Sequence, residues 1–266
     1  MSVANAAFDF YSAGRSWLHQ LDPRVKLAIV AACSTVLLLW LNLILLAGGI
    51  IAIHLILLLA GYPWTKLRAV WRALLPLLVL VVLLWPVFYQ AGATIFRAGP
   101  LTVTSGALGV GAATALRITA VSFVFLLWIG TTDTRELVRG FVRLGLPFSW
   151  GMSLTIGLRF IPTFAGIFVT VSDAQQSRGL ILHGNVFRRA RQMIPILVAS
   201  LVSAFRASEQ LAMTLESRGF GASRRRTVLR DLRMRPVDWI VLTATLVAAL
   251  VLAYLALFHG FGRGLY

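Results

Sequence analysis

The chain has 266 residues, with 25 Lys+Arg against 9 Asp+Glu, a net charge of +16 and a pI near 11.7, yet 59% of its residues are hydrophobic and the mean hydropathy is +0.84. Such a charge would suit a nucleic-acid binder in a soluble protein, but soluble domains are about 45–50% apolar and about 25% charged, against 13% charged here. Long apolar runs settle the class as a polytopic membrane protein and remove the need for a nucleic-acid partner.

The first 24 residues lack an apolar core, so no cleavable signal peptide is expected, and Asp22-Pro23 reads as the N-cap and first residue of a helix. A membrane helix needs roughly 20 mostly apolar residues. Val25 to Ala60 is apolar for almost twice that length and is read as two spans, 25–41 and 43–60, with a tight turn near Asn42. Arg72 precedes a third span, Ala73 to Tyr89, whose Pro76 and Pro86 a membrane helix tolerates. A fourth covers Ser105 to Ile129 with Arg117 inside it, and a fifth runs from Val237 to Phe258. Cys33 is the only cysteine, so no internal disulfide forms.

Between Gly130 and Pro236 the character changes, with 16 of the 25 basic and 6 of the 9 acidic residues. Asp133 with Glu136 reads as a capping box that opens an amphipathic helix ending near Gly145 and Pro147. A second helix runs from about Ser149, kinks at Pro162 and stops at Gly179; a third runs from near Met193 to Gly219. The third places Ile194, Leu197, Val198, Leu201, Phe205, Ser208, Ala212 and Leu215 on one face, to pack on other helices or on a partner. Basic connectors follow at Arg188-Arg189-Arg191 and Arg224-Arg225-Arg226, where anionic lipid headgroups would reward each charge by about 1 kcal/mol.

The predicted organisation is therefore all-α: residues 1–129 hold an N-terminal tail and four spans, 130–236 a cytoplasmic module of three helices, and 237–266 the last span and a tail. With the N-terminus inside, 22 of the 25 basic residues fall on the cytoplasmic side, as the positive-inside rule favours. A rival topology has Gly151 to Val171 span alone, leaving 12 arginines outside, or has the third helix span too. The latter gives seven spans and buries Arg206 at a cost of roughly 2.5–3.5 kcal/mol.

Catalytic signatures are missing. Only Lys26 and Lys66 are present and neither follows a glycine, so no phosphate-binding loop of the G-x-x-x-x-G-K-[ST] type exists. His19, His54, His183 and His259 are far apart, and no His/Cys/carboxylate group has metal-ligand spacing. No catalytic residue, metal or cofactor is expected.

A repeat stands out instead. Ser177-Arg178-Gly179 and Ser217-Arg218-Gly219 lie 40 residues apart, each ending a helix with an earlier Ile-Pro (Ile161-Pro162 and Ile194-Pro195). One such tripeptide is a helix stop, with Gly in the left-handed conformation and Arg complementing the dipole. Two of them on one face suggest two charged pegs for a partner with two sockets, such as a dimeric ATPase, since a guanidinium grips a carboxylate through two parallel bonds.

The paired tips resemble the two X-Arg-Gly motifs of the transmembrane (T) component of energy-coupling factor (ECF) transporters. Further stretches are similar to that family: Leu21-Asp-Pro-Arg-Val-Lys-Leu27, Leu144-Gly-Leu-Pro147, Gly157-Leu-Arg-Phe-Ile-Pro162 and Leu211-Ala-Met-Thr-Leu-Glu-Ser-Arg-Gly-Phe220. The first motif departs from the common family pattern in carrying Ser177 where Ala is usual. The resemblance implies a non-catalytic subunit of the prokaryotic plasma membrane. Two ABC-type ATPase subunits would engage Arg178 and Arg218, and a membrane S component would capture a vitamin or metal ion. The alternative from another class is a membrane insertase or scaffold that uses Arg117 and the basic block to engage hydrophobic polypeptides. Arg117, within a span, is expected to face a neighbouring helix or a partner, and Arg159 to pin the coupling helices together. In a Cys33→Ser background, Arg178→Cys and Arg218→Cys are both expected to react with an impermeant thiol reagent from the cytoplasmic side; reaction of only one would favour seven spans.

Overall fold

The computed structural model describes residues 16–89, 91–98, 101–180, 185–220, 234–262 and 264. In chain order these form α1 (Pro23–Leu39), α2 (Leu43–Leu59), α3 (Trp64–Phe88), an antiparallel ribbon of β1 (Thr94–Ala98) and β2 (Leu101–Thr104), α4 (Ser105–Thr131), α5 (Thr134–Arg143), α6 (Phe148–Ser177), α7 (Val186–Ser217) and α8 (Pro236–Phe258). The architecture is all-α and polytopic. Two compact units divide it: α6 and α7 make one, and the remaining described elements make the other, here called the membrane unit.

Local chemistry explains the helix starts. The Asp22 carboxylate accepts the Arg24 N–H at 2.9 Å with Pro23 at the first position of α1, as its sequence suggests. Asn42 makes the turn into α2 and caps it, its side-chain oxygen accepting from Ile44 and Leu45 at 3.0 and 3.2 Å. The Thr104 hydroxyl accepts the Ala107 N–H at 3.2 Å where β2 passes into α4.

Helix α4 is the centre of the membrane unit and packs against α1, α2, α3 and β2. Its buried positions include Ala107, Gly111, Ala113, Ala115 and Ala120, followed by Phe123, Val124 and Leu127. In lipid the solvent gives no hydrophobic push, so small residues that let backbones come close supply the packing. At Gly111 a Cβ would stand 3.2 Å from Trp85 Cβ and 3.5 Å from Val82 Cα of α3. Where α2, α3 and α4 meet, Trp71 Nε1 donates to His54 Nε2 at 3.0 Å, and Phe123 lies against both rings. Because an indole N–H only donates, His54 carries its proton on Nδ1, 2.9 Å from the Ile50 carbonyl. Large apolar side chains line the outside: Leu83 and Phe88 of α3 are 70% and 77% exposed, a surface that lipid accepts and water would not.

Five helices among the described residues are long and apolar enough to cross a membrane: α3, α4, α6, α7 and α8. The number equals the sequence expectation, but the members differ. Helices α1 and α2 have 17 residues each, about 26 Å of rise against a hydrocarbon core of about 30 Å. Helix α3 begins at Trp64 rather than near Ala73, which puts Lys66, Arg68 and Arg72 in its first turns instead of in a loop. Helix α7 begins at Val186 rather than near Met193, taking in exposed Arg188, Arg189 and Arg191, and Pro195 lies inside it. The β1–β2 ribbon was not expected from the sequence. Arg15, Arg224-Arg225-Arg226 and Arg263 lie outside the described residues.

Gly111→Leu is expected to force α3 off α4 and destabilise the fold by about 1–3 kcal/mol, seen as a lower Tm of the detergent-solubilised chain.

Candidate functional site

The two Arg-Gly tips have one geometry. Arg178 is the C-cap of α6 and Gly179 follows at φ +90°; Arg218 is the C-cap of α7 and Gly219 follows at φ +72°. The Gly179 N–H donates to the Gln176 carbonyl at 2.9 Å and the Leu180 N–H to the Gln175 carbonyl at 3.0 Å. In α7 the Gly219 N–H reaches the Glu216 carbonyl at 2.8 Å and the Phe220 N–H the Leu215 carbonyl at 2.9 Å. These are paired Schellman closures, which need a left-handed residue and hence favour glycine. The Ser177 hydroxyl donates back to Asp173 O at 2.9 Å and the Ser217 hydroxyl to Thr214 O at 3.0 Å.

The closures themselves do not require arginine. The same two bonds end α2 at Ala60-Gly61-Tyr62 and α5 at Leu144-Gly145-Leu146, so alanine and leucine serve at the C-cap as well. A cation there gains roughly 0.3–1 kcal/mol from the helix dipole. Arg178 and Arg218 are exposed, and among the described residues neither guanidinium makes an ion pair or side-chain hydrogen bond. Both five-donor groups are therefore available to a partner.

The order of the two helices sets how far apart the two pegs stand. The rings of Phe148, which starts α6, and Phe220, just beyond α7, have centroids 6.4 Å apart, so the two helices run antiparallel. Helix α6 is 30 residues long, about 45 Å, which carries Arg178 to the opposite end of the pair from Arg218. The tips stand roughly 30–45 Å apart.

The α6–α7 contact does not use the apolar stripe read from the sequence, for which packing on other helices or on a partner was expected. Ile194, Leu197, Val198, Leu201 and Phe205 are each more than half exposed (53% to 62%), whereas Ile196 is buried and Ala199, Ser200, Ser203, Ala204 and Ala207 are half-buried. Helix α6 is the main partner of α7, so small residues face it and the large apolar stripe is left open. Arg159 is exposed on α6 with no hydrogen bond or ion pair among the described residues.

Arg117 belongs to the membrane unit. Its Nη2 and Nε donate to the carbonyl of Trp40, the C-cap of α1, at 2.6 and 3.3 Å. The Gly262 carbonyl accepts from Asn42 N–H at 2.9 Å and from Leu41 N–H, and Phe261 meets Trp40 edge-on with centroids 6.3 Å apart. Arg117 thus ties the α1–α2 turn to α4.

The family model for CbiQ, described as cobalt transport protein, matches residues 14–229. Among curated proteins, the energy-coupling factor transporter transmembrane protein EcfT of Thermosediminibacter oceani is 35% identical over 246 residues, covering 88% of this chain and 92% of its own. EcfT of Listeria innocua is 32% identical over 92% of this chain and 96% of its own, and that of Brevibacillus brevis 31% identical over 95% and 98%.

In a Cys33→Ser background, Phe148→Cys with Phe220→Cys is expected to be joined by a bis-maleimide spanning about 10 Å, and Arg178→Cys with Arg218→Cys is not, given a 30-residue helix between them. Mass spectrometry of intramolecular cross-links is the measurement.

Proposed function

The chain belongs to the CbiQ family, with energy-coupling factor transmembrane proteins among its relatives, and we propose that it is the energy-coupling transmembrane subunit of an ECF-type importer. In this reading two ABC-type ATPase subunits hydrolyse ATP, a membrane S component captures a vitamin or transition-metal ion, and this non-catalytic chain joins them. The observation that carries the reading is the pair of identical arginine tips, unengaged among the described residues, at opposite ends of one antiparallel pair.

Each tip offers one guanidinium to a carboxylate-bearing groove. Because the tips stand roughly 30–45 Å apart, two separate subunits are better placed to take them than one small domain. Closure of an ATPase dimer would then load the α6–α7 pair from both ends at once. The exposed stripe of Ile194, Leu197, Val198, Leu201 and Phe205 offers an apolar flank to the S component. The orientation that agrees with this reading has the N-terminus and residues 130–236 in the cytoplasm of a prokaryotic cell, where the charge distribution also puts them.

The double variant Arg178→Glu/Arg218→Glu is expected to insert into the membrane at the normal level but to lose co-purification of the ATPase subunits and uptake. Each single variant should retain partial association through the other tip. Undiminished association in the double variant would overturn the mechanism.

A further inference from the structure

Both covalent connections between the α6–α7 unit and the membrane unit pass through one buried cluster. The outgoing chain leaves α4 at Thr131 and turns into α5; the returning chain passes Arg235 and starts α8 at Pro236. Lys26, in the first turn of α1, is 1% exposed, and its Nζ donates to Thr131 O at 2.8 Å and to His19 O at 3.3 Å. The Asp22 N–H donates to Asp238 Oδ1 at 3.2 Å, and the other oxygen of that carboxylate accepts the Arg235 N–H at 2.8 Å. Asp22 and Asp238 are themselves buried, and their charges act on the Lys26 ammonium together with that of Glu136. On α5, Gly140 comes so near that a Cβ would lie 3.3 Å from Pro23 Cβ.

An ammonium and two carboxylates are costly to bury, and apolar side chains of similar volume would pack the same space at less cost. What the polar groups add is direction. The Lys26–Thr131 bond joins α1 to the end of α4, and the Asp22–Asp238 bond joins the N-cap of α1 to the start of α8, so two atom-to-atom links fix the register between these elements. We infer that Lys26, Asp22 and Asp238 form an anchor that fixes both chain connections to α1, so that displacement of α6–α7 reaches the membrane helices and is not absorbed as slack. Lys26 and Asp238 are then positioning residues of energy coupling. This rests on the function proposed above.

The test uses the full chain co-purified with its ATPase subunits, with hydrogen exchange followed by mass spectrometry before and after adding a non-hydrolysable ATP analogue. In the wild type the analogue is expected to change exchange in α6–α7 and also at the end of α4, in α5 and at the start of α8. In Lys26→Met and in the milder Asp238→Asn, ATPase co-purification and the α6–α7 response should persist, because Arg178 and Arg218 are untouched. The response in α4, α5 and α8 should fall about ten-fold, the scale of one lost charge-assisted bond. Lys26→Arg, which keeps a cationic donor, should recover it in large part. A lost structural prop alone would speed exchange equally with and without nucleotide, leaving the difference between the two states unchanged. The inference is overturned by a wild-type response that stops at α7, by a variant response in α4 and α8 equal to that of the wild type, or by responses in both units lost together. Failure of the wild type to bring down any ATPase would overturn the parent reading as well, which separates the two failures.

Discussion

Every α-helix ends with carbonyl groups that have no partner within the helix, and in lipid no water is present to satisfy them. The membrane unit answers this with charge. Lys26 of α1 donates to the Thr131 carbonyl at the end of α4, and Arg117 of α4 donates to the Trp40 carbonyl at the end of α1. The two helices run antiparallel and each supplies the cation that the other's C-terminus lacks. Both charges therefore sit where the partner's dipole favours them, at the negative helix end. The distance fits: Arg117 to Thr131 is about 21 Å along α4, close to the length of α1.

This reciprocal clasp changes what a charge within a span means here. Counted along α4 alone, Arg117 is far from either end. Measured against α1, which is only 17 residues long, it stands at the level of a turn, where an open backbone carbonyl waits for a donor. The segment after α8 reaches the same turn through the Gly262 carbonyl and the Phe261 ring. Helices α2, α5, α6 and α7 use the other available solution, closing their own ends through a following glycine. A self-closed end needs no foreign cation, which is why the arginine that stands at two of these caps is unspent.

The features that were legible in the sequence are those written as local chemistry. Asp22-Pro23, the Asn42 turn and the Gly179 and Gly219 stops depend on neighbours within a few residues, and the structure has them where the residues suggest. The features that were not legible depend on partners far along the chain. Lys26 counts toward the positive-inside balance like any other basic residue, and nothing near it in sequence announces Thr131 or Asp238. A start near Met193 left the basic run outside the third helix, yet α7 begins at Val186, because arginine is a good helix former and a long helix tolerates an interior proline. The ribbon was legible in principle, since Thr94-Ile-Phe and Leu101-Thr-Val-Thr104 flank Gly99-Pro100, but a short ribbon is easily missed between two long apolar helices. The face of α7 turned to α6 was obscured for another reason: periodicity marks the most apolar stripe, whereas close packing selects the smallest side chains.

That choice of small residues bears on what the α6–α7 pair can do. Ala199, Ser200, Ser203, Ala204 and Ala207 offer no deep knobs that must be withdrawn when the crossing angle changes, while the large side chains lie on the open flank. Helices of 30 and 32 residues extend roughly 20–25 Å on either side of their midpoint. At that radius a 10° change of crossing angle moves a tip by roughly 4 Å, about the difference between a guanidinium seated on a carboxylate and one withdrawn from it. In the function proposed above, a pair gripped at its far arginine tips would act as a lever about these small-residue contacts. The anchor at Lys26, Asp22 and Asp238 has the opposite construction, with directional bonds and buried charge, as the proposed mechanism would require of a part that passes a push on without slack.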